Sequence, residues 1–240
     1  MKLFSLDSPL MQALNKVADL LWLNVLTLIC CLPIVTIGVS LTAMNYTALK
    51  IVRNEECYIT RGFFKSFKEN FRQATLIWLI LLLMIVVLGA DFLILNGGTQ
   101  TGVEKVLWGV ITAVAILVAF TLLYVFPVLA KFDNTVFRTM KNAFMMSLVQ
   151  FPKTILMLVV YAIPPMLFFM VPQAMPLCIL FGLSVPAWIS AKLYNKFFKK
   201  LEDQVLAANP LAEKEGGPEE DERIFKDELD PALSDKDITH

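Results

Sequence analysis

Long apolar runs recur along this chain, and several approach the roughly 20 residues with which an α-helix crosses about 30 Å of hydrocarbon. The runs are Leu20 to Leu41, Ala74 to Leu95, Val106 to Ala130, Thr154 to Val171 and Ala174 to Ala191. They are apolar on every side and far longer than strands, and a helix satisfies its own backbone hydrogen bonds in lipid. The pattern therefore predicts an all-α integral membrane helix bundle with about five transmembrane helices.

The composition agrees with insertion in a bilayer. Of the 240 residues, 57% are hydrophobic and 18% are charged, and the mean hydropathy is +0.66. A soluble domain of this length would have to expose much of that apolar surface to water. We therefore expect residues 1–200 to form a transmembrane helical domain.

Positive charges cluster in three places, and this bias predicts the orientation of the bundle. Lys and Arg concentrate in the loop after the first run, in the loop after the third run and at the end of the fifth run. Cytoplasmic segments of membrane proteins carry an excess of these residues. We predict a multi-pass cell-membrane protein with these segments and its C-terminus in the cytoplasm. Five simple spans would leave the N-terminus outside.

Residues 201–240 differ in charge from the rest of the chain. Up to Lys200 there are 17 Lys and Arg against 8 Asp and Glu, whereas the remainder has 4 against 13. The acidic run Glu219 to Glu222 follows a Gly-Gly-Pro sequence, and aromatic residues are almost absent. Since such a segment cannot bury enough apolar surface to fold alone, we predict a disordered, acidic cytoplasmic tail.

The first apolar run contains a break signal at membrane depth. Pro33 lacks a backbone donor and interrupts a helix, and Thr36 and Gly38 follow it closely. Beyond Gly38 the chain has the periodicity of an amphipathic helix. Two interpretations remain open: one span from Leu20 to Leu41, or a helix, a break and a returning helix that form a re-entrant hairpin. The hairpin would put the N-terminus in the cytoplasm.

Both basic loops contain a short amphipathic pattern. Residues 64–71 read FKSFKENF and residues 137–144 read FRTMKNAF, with apolar residues at i, i+3 and i+7. This spacing is typical of a helix that lies in the interface plane, with its cations near anionic inner-leaflet lipid. The predicted lipid or partner contacts are Phe64, Lys65, Phe67, Lys68, Phe71, Phe137, Arg138, Met140, Lys141 and Phe144. Each pattern lies between two spans, so the chain contains either a duplicated unit or two ordinary juxtamembrane helices.

Residue types that carry catalysis or bind metals are scarce. The single histidine is His240, and the four cysteines form no C-x-x-C pair. Nucleotide-binding, zinc-protease and hydrolase motifs are missing, and the basic loops carry no nucleic-acid-binding motif. Asp91 is the one clear ionisable residue inside a predicted span, where an acid is either functional or reaches interfacial water. We expect no enzymatic activity, no cofactor, no metal and no nucleic acid partner.

Several short sequences between residues 15 and 80 form a recognisable set: LPIVTIG at 32–38, Thr42-Ala43, Tyr46, KIVRNEE at 50–56, FFKSFKENF at 63–71 and Trp78. This set resembles the YesL family, which comprises bacterial membrane proteins of unknown function, mostly from Gram-positive organisms. Genes of that family often lie beside genes for carbohydrate ABC-importer permeases, solute-binding proteins and two-component sensors. The resemblance therefore implies an accessory role in sugar uptake or its regulation, by association.

Two functions from different classes follow. The first is a non-enzymatic accessory or regulatory component of carbohydrate ABC-type uptake, with sugar-importer permease or sensor subunits as partners of the amphipathic helices. The second is a transporter or channel for a small solute or saccharide, with its site near the Pro33 to Gly38 break and the proline-rich later spans. Such a pathway requires several polar or aromatic side chains turned into the bundle. The oligomeric state, including a homo-oligomer, stays open.

Overall fold

The computed structural model describes residues 9–55, 58–96, 102–132, 134–171, 173 and 175–208. In this part of the chain the helices are α1 (Pro9–Cys30), α2 (Ile37–Arg53), α3 (Ile59–Glu69), α4 (Phe71–Asn96), α5 (Gly102–Lys131), α6 (Val136–Val149), α7 (Phe151–Met170), α8 (Met175–Phe181) and α9 (Ser184–Ala208). A short 3-10 helix, Ile34–Thr36, precedes α2. The described residues include no strand, which confirms the all-α fold class.

Several of these helices are suited to cross a membrane. Five qualify by length and composition, namely Met11–Cys30, Ile34–Arg53, Phe71–Leu95, Lys105–Lys131 and Phe151–Met170. The pair α8 and α9, bent by 49°, adds a sixth if the two form one span. Only 11% of the window is buried in each of α4, α5 and α7, so their apolar side chains face outward, as lipid-facing side chains do. The protein is therefore a multi-pass membrane helix bundle.

The first predicted run, Leu20 to Leu41, is not one helix. α1 ends at Cys30 and α2 begins at Ile37, because Pro33 interrupts the backbone hydrogen bonds between them. The Thr36 hydroxyl lies 2.7 Å from the Cys30 carbonyl oxygen and 2.9 Å from that of Pro33, and its single hydrogen is donated to one of them or shared between both. The two helices return on each other, since Lys16 Nζ near the start of α1 donates to Asn54 Oδ1 at the end of α2 (2.8 Å). The single-span interpretation is wrong. The structure has a helix, a break and a returning helix, but α1 and α2 are each long and apolar enough to cross a membrane, which the re-entrant hairpin did not predict.

The fifth predicted run, Ala174 to Ala191, is also divided. α8 ends at Phe181, and α9 begins at Ser184. Asn24 of α1 satisfies the backbone groups at this bend: its Nδ2 donates to the Ile179 carbonyl at 2.7 Å, and its Oδ1 accepts from the Leu183 and Ser184 N–H groups, each at 3.0 Å. A side chain on another helix thus caps the start of α9. Lipid tails could not do this, because they have no hydrogen-bonding groups for the free backbone N–H groups.

α2 is the central helix of the bundle and packs against α1, α3, α4, α5 and α9. Most of its 17 residues are buried, and several of these are polar. The hydroxyls of Ser40, Thr42 and Thr47 donate to the carbonyl four residues earlier in the chain, which for Ser40 is that of Thr36 just before α2. Such bonds let polar side chains occupy a dry interior without a partner on another helix. These hydroxyls are therefore structural.

α3 and α6 occupy equivalent places in the chain. α3 folds back on α2, α6 folds back on α5, and one buried residue joins each to the next span: Asn70 before α4 and Gln150 before α7. At both joints the N–H bonds to the carbonyl four residues earlier, and the carbonyl accepts from the N–H four residues later. The order of helix, basic amphipathic helix and span thus occurs twice, which favours duplication over coincidence.

α9 continues to Ala208, past the predicted boundary at Leu201. Phe198 is fully buried and Glu202 is 9% exposed, so this turn packs into the helical body. The body therefore extends beyond Lys200. The rest of the predicted acidic tail, residues 209–240, lies outside the described residues.

Candidate functional site

Charged and polar groups from distant parts of the chain meet at one end of the bundle, which we name the basic end. Arg53 at the end of α2 reaches α9, and Lys131 at the end of α5 reaches the same turn. Gln73 at the start of α4 donates its amide to the carbonyl of Asn134, between α5 and α6. The structure therefore brings the two basic loops and the second half of α9 to the same place, as the charge pattern predicted.

The centre of the basic end is a charged junction, formed by Arg53, Lys131, Asn195 and Glu202. The Arg53 guanidinium binds the Glu202 carboxylate with both terminal nitrogens, at 2.8 and 3.2 Å, and donates through Nε to Asn195 Oδ1 at 2.9 Å. Lys131 Nζ lies 3.8 Å from the same carboxylate. The side chains of Arg53, Lys131 and Glu202 are only 8–11% exposed. The junction therefore ties α2, α5 and α9 together through one carboxylate.

The sequence reasoning missed Glu202, which it assigned to the acidic tail. A signal was present, because Tyr194, Phe198 and Leu201 continue the apolar helical spacing past Lys200. The spacing could have shown that α9 extends to Glu202. No local pattern, however, pairs Glu202 with Arg53, from which 149 positions separate it.

On α3, the predicted contact residues divide between two environments. Phe67 packs against the core, whereas Phe64 and Phe71 are 39% and 42% exposed. Lys65 and Lys68 are exposed beside them. The residues that α3 buries most deeply are others, Gly62, Phe63 and Ser66, which the sequence did not single out. The phenyl rings of Phe63, Phe64 and Phe67 on α3 and of Phe71, the first residue of α4, form one continuous cluster.

On α6, the predicted contact residues face largely away from the core. Phe137 is 85% exposed, and Arg138 and Lys141 are exposed near it. Met140 and Phe144 are half-buried. The face that α6 packs inward carries Thr139, Ala143, Met146 and Ser147. The helix therefore presents an aromatic and basic surface outside the bundle.

An open groove lies between α1 and the start of α3, with a volume of about 800 Å³. The Trp22 indole donates to the Thr60 hydroxyl at 2.8 Å and joins the two helices there. We name this the interfacial groove; its described lining consists of Trp22, Tyr58, Ile59, Thr60, Arg61, Phe64, Lys65 and Lys68. Apolar and aromatic surface thus lies beside three cations.

The predicted break residues and Asp91 lie apart from the basic loops. Pro33 and Thr36 form the turn between α1 and α2, and Gly38 lies against α4. Leu32 beside them is 80% exposed, so the turn presents apolar surface outward. Asp91 lies half-buried near the end of α4. The structure therefore does not bring Asp91 and the break to the charged junction.

A second polar cluster lies inside the bundle, between α5, α7 and α9. Tyr124 and Thr154 are fully buried with their hydroxyls 3.3 Å apart, and Tyr194 neighbours Tyr124. Among the described residues, the side chains of Gln150, Ser190 and Tyr194 find no hydrogen-bond partner. An unpaired buried polar group costs free energy, so this interior cluster has unused hydrogen-bonding capacity. The other described residues with an unpaired buried polar atom are Asn45, Thr75, Ser184 and Trp188.

Comparison with known proteins gives one family match. The described residues contain no group of three or more His, Cys, Asp or Glu placed to hold a metal ion. No curated protein and no solved structure matches the chain. Residues 19–92 match the family model described as "Protein of unknown function, DUF624". This stretch covers part of α1, the break, α2, α3 and most of α4, so the similarity to that family lies in the first four helices of the membrane bundle.

Proposed function

We propose that the protein is a YesL-type accessory or regulatory component of carbohydrate ABC-type uptake, without enzymatic activity of its own. The DUF624 match covers the same stretch as the sequence resemblance to that family. The observation that carries the proposal is the outward surface of α6, with Phe137 85% exposed beside the exposed cations Arg138 and Lys141. An exposed aromatic residue beside Arg and Lys is typical of the contacts that dominate protein interfaces.

The proposed orientation puts the basic end in the cytoplasm, where it meets the cytoplasmic side of a permease or sensor. Its support is the collection of both basic loops at one end. The test is labelling of single cysteines, Lys16→Cys or Asn54→Cys, in a chain whose four native cysteines are replaced by serine. Both should resist an impermeant maleimide in intact cells and react in inverted vesicles. Labelling of both from outside would refute the orientation, and labelling from opposite sides would refute the hairpin.

Copurification tests the accessory role. The tagged protein is extracted from its native membrane in mild detergent, and recovered subunits are identified by mass spectrometry. Phe137→Ala should lose the sugar-importer permease or sensor subunit, because it removes the aromatic contact. Phe169→Ala is the matched control, since Phe169 is 82% exposed at the far end of α7. Wild-type protein that copurifies with no importer or sensor subunit, or equal recovery with both variants, would contradict the proposal.

Charge reversal on the same surface of α6 provides a second copurification test. Arg138→Glu with Lys141→Glu should reduce recovery, since electrostatic complementarity guides association. Lys199→Glu with Lys200→Glu changes the charge equally on exposed residues of α9 and should leave recovery unchanged. An equal loss of subunit recovery with both pairs of substitutions would show that only net charge matters. It would refute α6 as the contact surface.

A second candidate function is transport of a small polar solute, such as a saccharide. The observation that favours it is the interior cluster, where Gln150, Ser190 and Tyr194 have unused hydrogen-bonding capacity inside the bundle. Solute sites in transporters lie at membrane depth between helices. The test is flux of labelled saccharides into liposomes that contain the purified protein, with Tyr194→Phe as the variant. A flux that Tyr194→Phe abolishes would favour transport, whereas no flux above empty liposomes would rule this candidate out.

A further inference from the structure

The interfacial groove combines two kinds of surface that a single ligand can satisfy. Arg61, Lys65 and Lys68 follow a spacing of four and three residues, so they share one face of α3. Trp22, Tyr58 and Phe64 supply aromatic surface beside them. The described lining carries three cations and no acid. Its occupant should therefore be an anion with an attached apolar part.

The position of the groove restricts the occupant further. α1 is a candidate span, and α3 connects the end of α2 to the start of α4, two further candidate spans. The groove therefore lies near the ends of α2 and α4, against Trp22 within the candidate span of α1. Trp22 and Tyr58 are 51% and 84% exposed there, and such aromatic side chains prefer the headgroup region of a bilayer.

We propose that the interfacial groove binds an anionic phospholipid. Its phosphate contacts Arg61, Lys65 and Lys68, and its glycerol and upper acyl chains pack on Trp22, Tyr58 and Phe64. Charge complementarity selects an anionic headgroup, and the apolar lining selects a lipid over a free anion. This inference rests on membrane insertion alone and is independent of the accessory role.

The bond between Trp22 and Thr60 gives the site a defined shape. It holds α1 against the first turn of α3 at 2.8 Å, so the aromatic wall and the cationic face keep their spacing. A bound lipid contacts both helices and therefore stabilises their packing. Lipid binding should raise the melting temperature of the protein, since a ligand that binds only the folded state stabilises it.

The test titrates purified full-length protein in uncharged detergent with phosphatidylglycerol and records the melting temperature. Phosphatidylcholine, glycerol phosphate and inorganic phosphate are titrated in parallel. Phosphatidylglycerol alone should give a saturable increase. An equal increase with phosphatidylcholine would overturn the charge requirement, and an equal increase with the two soluble phosphates would show an anion site and overturn the lipid assignment.

Matched variants locate the site. The triple variant R61Q, K65Q, K68Q should need about a hundredfold more lipid for half of the maximal shift, since each cation near an anionic lipid contributes roughly fivefold in affinity. The control triple K196Q, K199Q, K200Q removes the same charge from exposed positions of α9 and should titrate as the wild type does. Without lipid, both triple variants must first show the wild-type melting temperature. If the groove triple does not, the single variant R61Q takes its place, and its affinity for the lipid should fall about fivefold. An equal loss of lipid affinity in the groove triple and in the control triple would overturn the proposal.

Discussion

Substitution of Gly38 by alanine tests the close approach of α2 and α4 beside the break. A methyl group at this position would lie 2.5 Å from Trp78 Cβ and 2.8 Å from the Ala74 carbonyl oxygen, whereas ordinary contacts of this kind begin at 3.4 Å. The two helices must separate to admit it, and overpacking of this type costs about 1–3 kcal/mol. Replacing glycine by alanine inside a helix recovers about 0.5–1 kcal/mol. We expect a net loss of about 1–2 kcal/mol in the free energy of unfolding.

Two other helical glycines provide controls. A Cβ added at Gly89 in α4 or at Gly109 in α5 meets nothing within 4 Å. Gly89→Ala and Gly109→Ala should therefore show only the stabilisation that alanine gives a helix relative to glycine. The difference in stability between Gly38→Ala and these controls therefore reports the cost of the close contact between α2 and α4. On the scale of soluble chains of this size, about 1 kcal/mol corresponds to roughly 2–4 °C in melting temperature.

The assay is thermal unfolding of the purified variants in one mild detergent at one scan rate, because membrane proteins often unfold irreversibly. Gly38→Ala should melt several degrees below both controls while eluting as a single species in size-exclusion chromatography. If Gly38→Ala melts together with the controls, α2 and α4 do not approach as closely as described. Glycine would then not be required at the hairpin.

Three further substitutions test the other long-range contacts by the same assay. Glu202→Gln should destabilise the protein by about 3 kcal/mol, because it removes the carboxylate that binds the buried Arg53 guanidinium at 2.8 and 3.2 Å and leaves, among the described acids, only the partly exposed Glu55 at 3.9 Å. Exposed Asp203→Asn is the control, and equal melting of the two would contradict a buried junction. Thr36→Val should cost about 0.5–1.5 kcal/mol, because it removes the one hydroxyl that donates to the Cys30 and Pro33 carbonyls. Thr36→Ser should restore most of this. Trp78→Phe should cost about 0.5–1.5 kcal/mol, since its indole donates to the Ile34 carbonyl at 2.8 Å; no change would show that this bond does not hold the turn.

The amphipathic patterns illustrate how far the sequence leads toward the candidate site. The spacing of Phe64, Phe67 and Phe71 predicts one amphipathic helix. The structure has an amphipathic helix, α3, but it ends at Glu69, and Phe71 begins α4. The spacing does not predict that Phe63 and Ser66 are the buried side chains. Which face of a short helix turns inward depends on the neighbour against which it packs, here α2, and the periodicity of one segment contains no information about that neighbour.

The sequence by itself determined that this protein is an all-α membrane bundle, which of its loops are basic, and where three of its spans lie. These properties follow from local hydropathy and helical period, which act over about 20 residues. Only the tertiary structure decided that α1 and α2 form a hairpin, that Asn24 caps α9, and that Glu202 pairs with Arg53. Each of these contacts joins residues far apart in the chain, where a polar group finds its partner only after the helices have packed.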